Sequence, residues 1–491
     1  MLYRLCTLFV LFTLCACERR VDDTAIVTPS GEDSTELAVK PNVPDWQKDA
    51  VIYEVNTRIY TPEGTFAAFQ EHLPRLQEMG VDLLWFMPIH PVSKKNRKGT
   101  LGSPYAVADY REVNPDFGTK EDFRQLVEAI HDAGMHLIID WVPNHTGWDN
   151  PWIEQHPDFY TKKDGQITDP INPDTGESWG WTDVADLNYD NTEMRDSMIA
   201  AMKYWVTDMG VDGFRVDVAH GVPVDFWEQA ADSLYDLEPL FMLSEGEIPA
   251  IVNDGAFIMD YGWEMHHTLN EIAKARGANR EVEADLSNIA RSEGEAQDNV
   301  TALAIDEVLE RQEERYDRGY KMQFTSNHDE NAWAGTEFQR FGDGAQAFAV
   351  LTATFDGMPL IYTGQESAVD RQYEFFEKDQ IEWGDYKYAD FYKTLFDLKE
   401  RNRALWNGEA GGELEKIETS NDEMVYAFTR EKDGDKVAVM INLSGEPQNV
   451  MLEDGNFVGD YTEVFSGEQK GLSEEMSVEL EPWGYRVYSN K

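Results

Sequence analysis

Residues 211–220 read VDGFRVDVAH. The run VDGFRVDV has the β-branched and aromatic content of a short buried strand, yet it carries Arg215 and Asp217. Burying either charge without a partner is expensive. Side chains two apart along a strand share a face, so the spacing pairs the cation with the carboxylate. The question is what such a pair does in a strand that otherwise reads as core.

The neighbouring sequence supplies the frame. Short apolar runs recur at VIYEV (51–55), DLLWFM (82–87), HLIID (136–140), DGFRVD (212–217), LFMLS (240–244), AFIMD (256–260), KMQFTS (321–326) and PLIYT (359–363). Helical patterns lie between them, such as TFAAFQEHLPRLQEMG (65–80) and KEDFRQLVEAIHDAG (120–134), with apolar residues at helical spacing and a closing Gly. Strands alternating with helices in this way predict a closed parallel (β/α)8 TIM barrel. A doubly wound open sheet is the competitor, but no Gly-rich phosphate loop follows the first strand. The connection 141–211 is far longer than the others and rich in Trp, Asp, Pro and Gly, which predicts an inserted subdomain at about 145–190. Trp148, Trp152, Trp179 and Trp181 there either line a groove or pack the insertion. After about residue 405 the run MVYAFTREKDGDKVAVMINLSG alternates around a DG turn, a hairpin that opens a C-terminal antiparallel β domain, 405–491. The barrel is expected over 46–404.

Composition limits the partners. The formal net charge is −51, which argues against nucleic acid and against an anionic membrane surface. A neutral polymer feels no such repulsion, and the 12% aromatic content suits stacking on flat apolar faces. The N-terminal MLYRLCTLFVLFTLCAC has one basic residue, an apolar run and a small-residue end. It reads as a signal peptide over 1–16, and LCAC resembles a lipobox with Cys17 as the lipidated residue. All three Cys lie in this segment, so the mature chain would hold no disulfide. Residues 17–45 read as a flexible tether. An exported envelope lipoprotein, expected in the outer membrane and touching the membrane only through its anchor, follows from these features.

In a barrel of this type chemistry sits where strands end. The third strand exits at Asp140, followed by Asn144 and His145. The fourth carries Arg215 and Asp217, the fifth exits at Glu245, and the seventh at His328 and Asp329. Taken together, DWVPNH, GFRVDVAH, MLSEGE and FTSNHDE, in this order, resemble the motif regions of the α-amylase family, glycoside hydrolase family 13. VADLN (184–188) is similar to a further motif of that family. The resemblance implies a retaining glycosidase acting on α-glucans. In it Asp217 would be the nucleophile, Glu245 the general acid/base and Asp329 the transition-state stabiliser. His145 and His328 would donate to the sugar, and Tyr105 would stack on it.

Retention requires one attacking carboxylate and one protonated carboxyl. Arg215 is expected to hold Asp217 ionised, and Glu245 to sit in a less solvated place that keeps its proton. Glu247 is the rival for the acid role; Glu245 is preferred because it follows the apolar run directly. Asn144, Asp186 and the backbone carbonyl of His220 match calcium-binding positions of the family, with a plain hydrogen-bond network as the alternative. The family's His-Gly-Tyr after the second strand is here GSPYAVADY, which keeps Tyr105 and lacks the His. A maltooligosaccharide-specific glucosidase or cyclomaltodextrinase, a 4-α-glucanotransferase and, more remotely, a glycan-binding lipoprotein without activity are the competing readings.

Overall fold

The computed structural model describes residues 39–172, 175–278 and 300–491. The expected signal peptide, Cys17 and most of the tether lie outside the described residues. Eight parallel strands close into a barrel. They are β1 (Ile52–Val55), β2 (Leu83–Phe86), β3 (His136–Trp141), β4 (Gly213–Val216), β5 (Phe241–Ser244), β6 (Met259–Tyr261), β7 (Tyr320–Phe324) and β8 (Met358–Tyr362). Each overlaps one of the apolar runs identified in sequence, and four of them extend one residue beyond it. Closure is made by β1 against β8, with Ile52 opposite Leu360.

Strand alternation divides the core into two parts. Ile52, Leu83, Trp85, Ile138, Phe241, Leu243, Met259 and Met322 fill the barrel's interior. Tyr53, Val55, Leu84, Phe86, Leu137, Ile139, Phe214 and Val216 face the surrounding helices. Period two therefore turns Glu54, Asp140 and Arg215 inward, on the faces of Ile52, Ile138 and Gly213. Gly213 is required by proximity: a Cβ there would lie 1.9 Å from the Phe241 carbonyl oxygen.

The helical run 65–80 divides into Phe66–Gln70 and Leu73–Met79. Pro74, in the first turn of the second piece, has no N–H to continue a single helix. The helix Lys120–Asp132 opens on a capping box between Thr119 and Asp122. After β3 the chain forms a small antiparallel pair, His145–Gly147 with Val184–Asp186, before the helix Thr192–Thr207 leads back to β4. The C-terminal part is a six-stranded antiparallel sheet with a second, three-stranded sheet. Its central hairpin, Val425–Lys432 with Asp435–Asn442, turns at Asp433 (φ 52) and Gly434 (φ 85), the left-handed pair that a two-residue hairpin loop demands.

The expected tether is corrected at its end. Val39 is buried, its N–H donates to the Asp254 carbonyl, and Leu240 N–H donates to the Asn42 carbonyl. The chain is thus packed on the barrel from Val39, because an apolar side chain and backbone partners await it there.

Arg430 ties the hairpin to the barrel. Its buried guanidinium donates to the carbonyls of Gly412 (2.8 Å), Phe355 (2.8 Å) and Trp406 (2.9 Å). Arg430→Ala would strand these acceptors, at about 1–3 kcal/mol for each one left unpaired. The expected outcome is a melting midpoint lowered by several degrees, read by calorimetry, with a smaller loss for the conservative Arg430→Lys.

Candidate active site

The C-terminal rim of the barrel is organised around one cation. Arg215 is fully buried. Its Nη1 donates to Asp140 Oδ1 (2.9 Å) and Asp217 Oδ1 (3.0 Å), its Nε donates to the Tyr261 hydroxyl (3.0 Å), and Nη2 lies 2.8 Å from Glu245 Oε1. Trp85 packs under the guanidinium, 4.9 Å from ring centre to Cζ. Asp140 is held in turn by Trp85 Nε1 (3.2 Å) and by the Tyr105 hydroxyl (3.0 Å).

Asp217 follows β4 directly, and its N–H donates to the Trp141 carbonyl at 2.8 Å. The next residue, Val218, is left-handed at φ 44 and ψ 45. A β-branched residue held there costs about 1–3 kcal/mol. The strained turn aims the Val218 N–H at Glu245 Oε2, 2.8 Å away. Glu247 is elsewhere: its Oε2 accepts the Glu264 N–H at 3.2 Å, and its charged neighbours are Lys321, Asp260 and Glu264. Of the two acid candidates, only Glu245 touches Arg215.

On the other side His328 Nδ1 lies 2.6 Å from Glu54 Oε1, and Nε2 lies 2.7 Å from the Tyr105 hydroxyl and 3.4 Å from Asp329 Oδ2. Burial opposes its charge, but Asp329 and Glu54 push it up to about 9, so it is an imidazolium at neutral pH. Tyr105 stacks near-parallel to His328 and to Phe375. Asp329 is the most open of these carboxylates, its side chain 33% exposed.

Glu54, Asp140, Asp217, Glu245 and Asp329 thus share two cations, Arg215 and His328. In a buried space they cannot all be ionised. Burial and the charge of Glu245 push Asp217 well above the usual carboxylate range, more than Arg215 lowers it. Burial also acts on Glu245, but Arg215 and the Val218 N–H outweigh it and hold that carboxyl low. Burial pushes Asp140 up to about 6 despite Arg215. The expected environments are corrected accordingly. Arg215 is not a private counter-ion for Asp217, because its guanidinium is divided among three carboxylates. Without substrate, Glu245 is the better-paired of the two.

The remaining expected residues are more dispersed. His145 is buried on the insertion's first strand, pushed down to about 4 by burial and therefore neutral, with Trp181 edge-on at 5.9 Å. Asn144 turns its amide oxygen onto Gly221, where a Cβ would come within 2.4 Å, beside the exposed His220. Asp186 pairs across the strands with His145. Burial raises it to about 6, and its charged neighbour is Asp169. Among the four insertion tryptophans, Trp152 packs on Tyr110 and Phe159, and Trp148 donates to the Thr182 carbonyl. Trp179 and Trp181 instead form a stacked pair 5.9 Å apart, with Trp179 41% exposed. Glu54 was not among the expected site residues, and Asp140 was read only as a strand-end carboxylate without a role. Glu54 carries the same signal as Arg215, a charge inside an apolar strand; Trp85 and Tyr261 carry none, since they read as core.

Residues 30–412 match the alpha amylase catalytic domain model, and residues 414–487 match the maltogenic amylase C-terminal domain model. The chain is 28% identical over 446 residues to alpha-amylase MalA of Haloarcula japonica, covering 88% of this chain but only 60% of that relative's length. It is 36% identical over 213 residues to a trehalose synthase of Pimelobacter, 37% of this chain and 36% of that protein. Among solved structures, the noncanonic maltogenic alpha-amylase AmyB of Thermotoga neapolitana superposes with a TM-score of 0.76 at 26% identity, over 90% of this chain and 98% of that one. With its rim carboxylates gathered on one buried arginine and more than half its length matched by one family model, the chain belongs to the alpha-amylase catalytic-domain family.

Proposed function

We propose that this protein is a retaining α-glucan hydrolase cleaving α-1,4 bonds in starch, glycogen or maltodextrins. The single observation that carries the reading is the bridging of Asp217 and Glu245 by one guanidinium, which keeps two carboxyls beside the same reacting bond. Asp217 is the nucleophile: its oxygen attacks the anomeric carbon and forms the covalent glycosyl-enzyme. Glu245 gives its proton to the leaving oxygen, then takes one from the water that releases the sugar. Asp329, open to the cleft, stabilises the positive charge that develops on the sugar ring. His328 as an imidazolium and neutral His145 donate to sugar hydroxyls, and Tyr105 supplies a stacking face.

The substrate-free charge state adds one requirement. Burial pushes the Asp217 carboxyl up while Arg215 and the Val218 N–H hold Glu245 low, and attack needs the opposite order, with a proton on Glu245. Sugar hydroxyls donating to Asp217 would favour its ionised form and return the proton to Glu245.

Asn144, Asp186 and the His220 carbonyl would offer oxygen ligands of the kind calcium takes. The raised Asp186, with a like charge as its neighbour, is a carboxylate that a cation would relieve. Such an ion would pin the insertion to the barrel, and no reaction step passes through it. Export, with a lipid on Cys17 and the outer membrane as destination, is the accompanying reading of the N-terminus.

A 4-α-glucanotransferase or a maltooligosaccharide-specific glucosidase shares the same three carboxylates. A likeness to an alpha-glucosidase of Pediococcus pentosaceus, 27% identical over 379 residues, supports the glucosidase within that second reading. A time course on soluble starch and on maltotriose separates them. Mixed oligosaccharides early from starch, with slow maltotriose cleavage, mark the hydrolase; products longer than maltotriose mark the transferase; glucose released faster from maltotriose than from starch marks the glucosidase. Asp217→Ala should lower kcat by about 10⁴ or more, as loss of a covalent nucleophile does. Unchanged turnover would falsify the mechanism.

Trp179 and Trp181 offer the stacked apolar face of an outer sugar site. Trp179→Ala should raise KM on long maltooligosaccharides about threefold to tenfold while kcat on short ones holds, the mark of lost uniform binding.

The imidazolium of His328 sets a pH limit. Its folded-state value, about 9, lies above the unfolded reference of 6.5, so its stabilisation is full below pH 6.5 and fades as pH rises through about 9. Glu54→Gln removes one of the two carboxylates that support the charge. The alkaline limb of kcat/KM should then move down by about one pH unit. A limb that stays in place would remove His328 from that role.

A further inference from the structure

A second cluster of ligating groups lies at the opposite end of the barrel, where strands begin. His131 stands in the last turn of the helix Lys120–Asp132, His136 opens β3, and Asp212 directly precedes β4. His131 Nε2 is 2.8 Å from Asp212 Oδ2, and His136 Nδ1 is 3.5 Å from Asp212 Oδ1. One donor atom from each residue falls within 4.8 Å of the others. Asp212 Oδ2 also accepts the Leu137 N–H at 2.8 Å, which fixes the carboxylate. His136 Nδ1 is shielded from solvent and makes no hydrogen bond, although the Asp212 oxygen is its near neighbour. The His136 ring is clamped from its face by Trp46, with ring centroids 4.2 Å apart and planes within 11°. A preorganised imidazole with an unused buried nitrogen is an expensive arrangement for a plain ion pair.

We propose that His131, His136 and Asp212 bind a divalent transition metal of the zinc class. Donor atoms around a tetrahedral ion, at roughly 2.0–2.2 Å from it, lie roughly 3.3 Å from one another. His131 lies 2.8 Å from one Asp212 oxygen and His136 lies 3.5 Å from the other, so both imidazoles approach the carboxylate at about that spacing. Two imidazoles and one carboxylate favour zinc over calcium, which takes oxygen ligands. The three ligands come from a helix, a strand start and the connection into the next strand. The ion would therefore lock the floor of the barrel between β3 and β4, the two strands that carry Asp140 and Arg215 to the site above.

The test uses untagged protein lacking residues 1–17, the expected signal segment and Cys17, stripped of metal and kept in excess calcium. Titration with Zn²⁺ by calorimetry should give one equivalent per chain and a rise in melting temperature. Co²⁺ in its place should give the visible absorption of a tetrahedral N/O site. His131→Ala, a half-exposed residue whose loss leaves the core intact, should weaken Zn²⁺ binding by about tenfold or more and abolish the cobalt spectrum. Asp212→Asn should do the same. The proposal is overturned if wild type takes up no stoichiometric Zn²⁺, if the cobalt spectrum is that of the hexaaqua ion, or if His131→Ala binds as wild type does. Starch hydrolysis is not the readout, so failure here leaves the glycosidase reading standing.

Discussion

The site depends on a guanidinium taken out of water. Moving an ion into a protein interior costs several kcal/mol even after relaxation, and the cost is recovered only when its hydrogen bonds are met in good geometry. Arg215 makes hydrogen bonds to Asp140, Asp217 and the Tyr261 hydroxyl, and is further offset by the Glu245 carboxylate 2.8 Å from Nη2 and by the Trp85 ring. Removing it would leave Asp140, Asp217 and Glu245 facing one another with only His328 as a counter-charge. They would protonate or separate, and either change takes the nucleophile out of its working state. The barrel supplies what this arrangement needs: strands that alternate inward and outward, and a rim where carboxyls from five strands converge.

The same crowding sets the environments of the reacting carboxyls. Five carboxyls surround two cations, and Arg215 first, then the Val218 N–H, hold Glu245 low against burial. That N–H is available only because Val218 is held in a conformation a β-branched residue avoids. Strain in the turn after β4 and the charge state of the acid are therefore one feature. The substrate, by bonding to Asp217, would shift the proton to where it is used, which ties protonation to occupancy.

Much of this was legible in sequence, for physical reasons. Eight apolar runs separated by helical patterns admit few folds, and a charge inside such a run has few reasons to be there. Arg215, Asp217, Glu245, His328 and Asp329 were all found by asking what stands at strand ends. Glu54 obeys the same logic and was readable in VIYEV, but one acid in an edge-length run carries little weight until its partner His328 is known to be 2.6 Å away. Trp85 and Tyr261 could not be read, because an aromatic that supports a guanidinium looks in sequence like any core aromatic. The division of Arg215 among three carboxylates was equally hidden: the i, i+2 rule pairs it with Asp217, whereas Asp140 and Glu245 reach it through strand register. The end of the tether at Val39 and the break at His72 depend on tertiary packing and on one proline, which periodicity does not weigh.

Strand register also connects the two ends of the barrel. Asp212 precedes β4 and Arg215 ends three residues later, while His136 opens β3 and Asp140 lies four residues on. β3 and β4 are hydrogen-bonded neighbours with Asp140 opposite Arg215. A one-residue slip between them would turn Arg215 away from the interior and strand three carboxylates. The pairing of His131 and His136 with Asp212 opposes such a slip from below, and the Asp140–Arg215–Asp217 contacts oppose it from above. Two polar clusters, each costly alone, thereby hold the same strand pair in the one register that brings an arginine beneath a nucleophile.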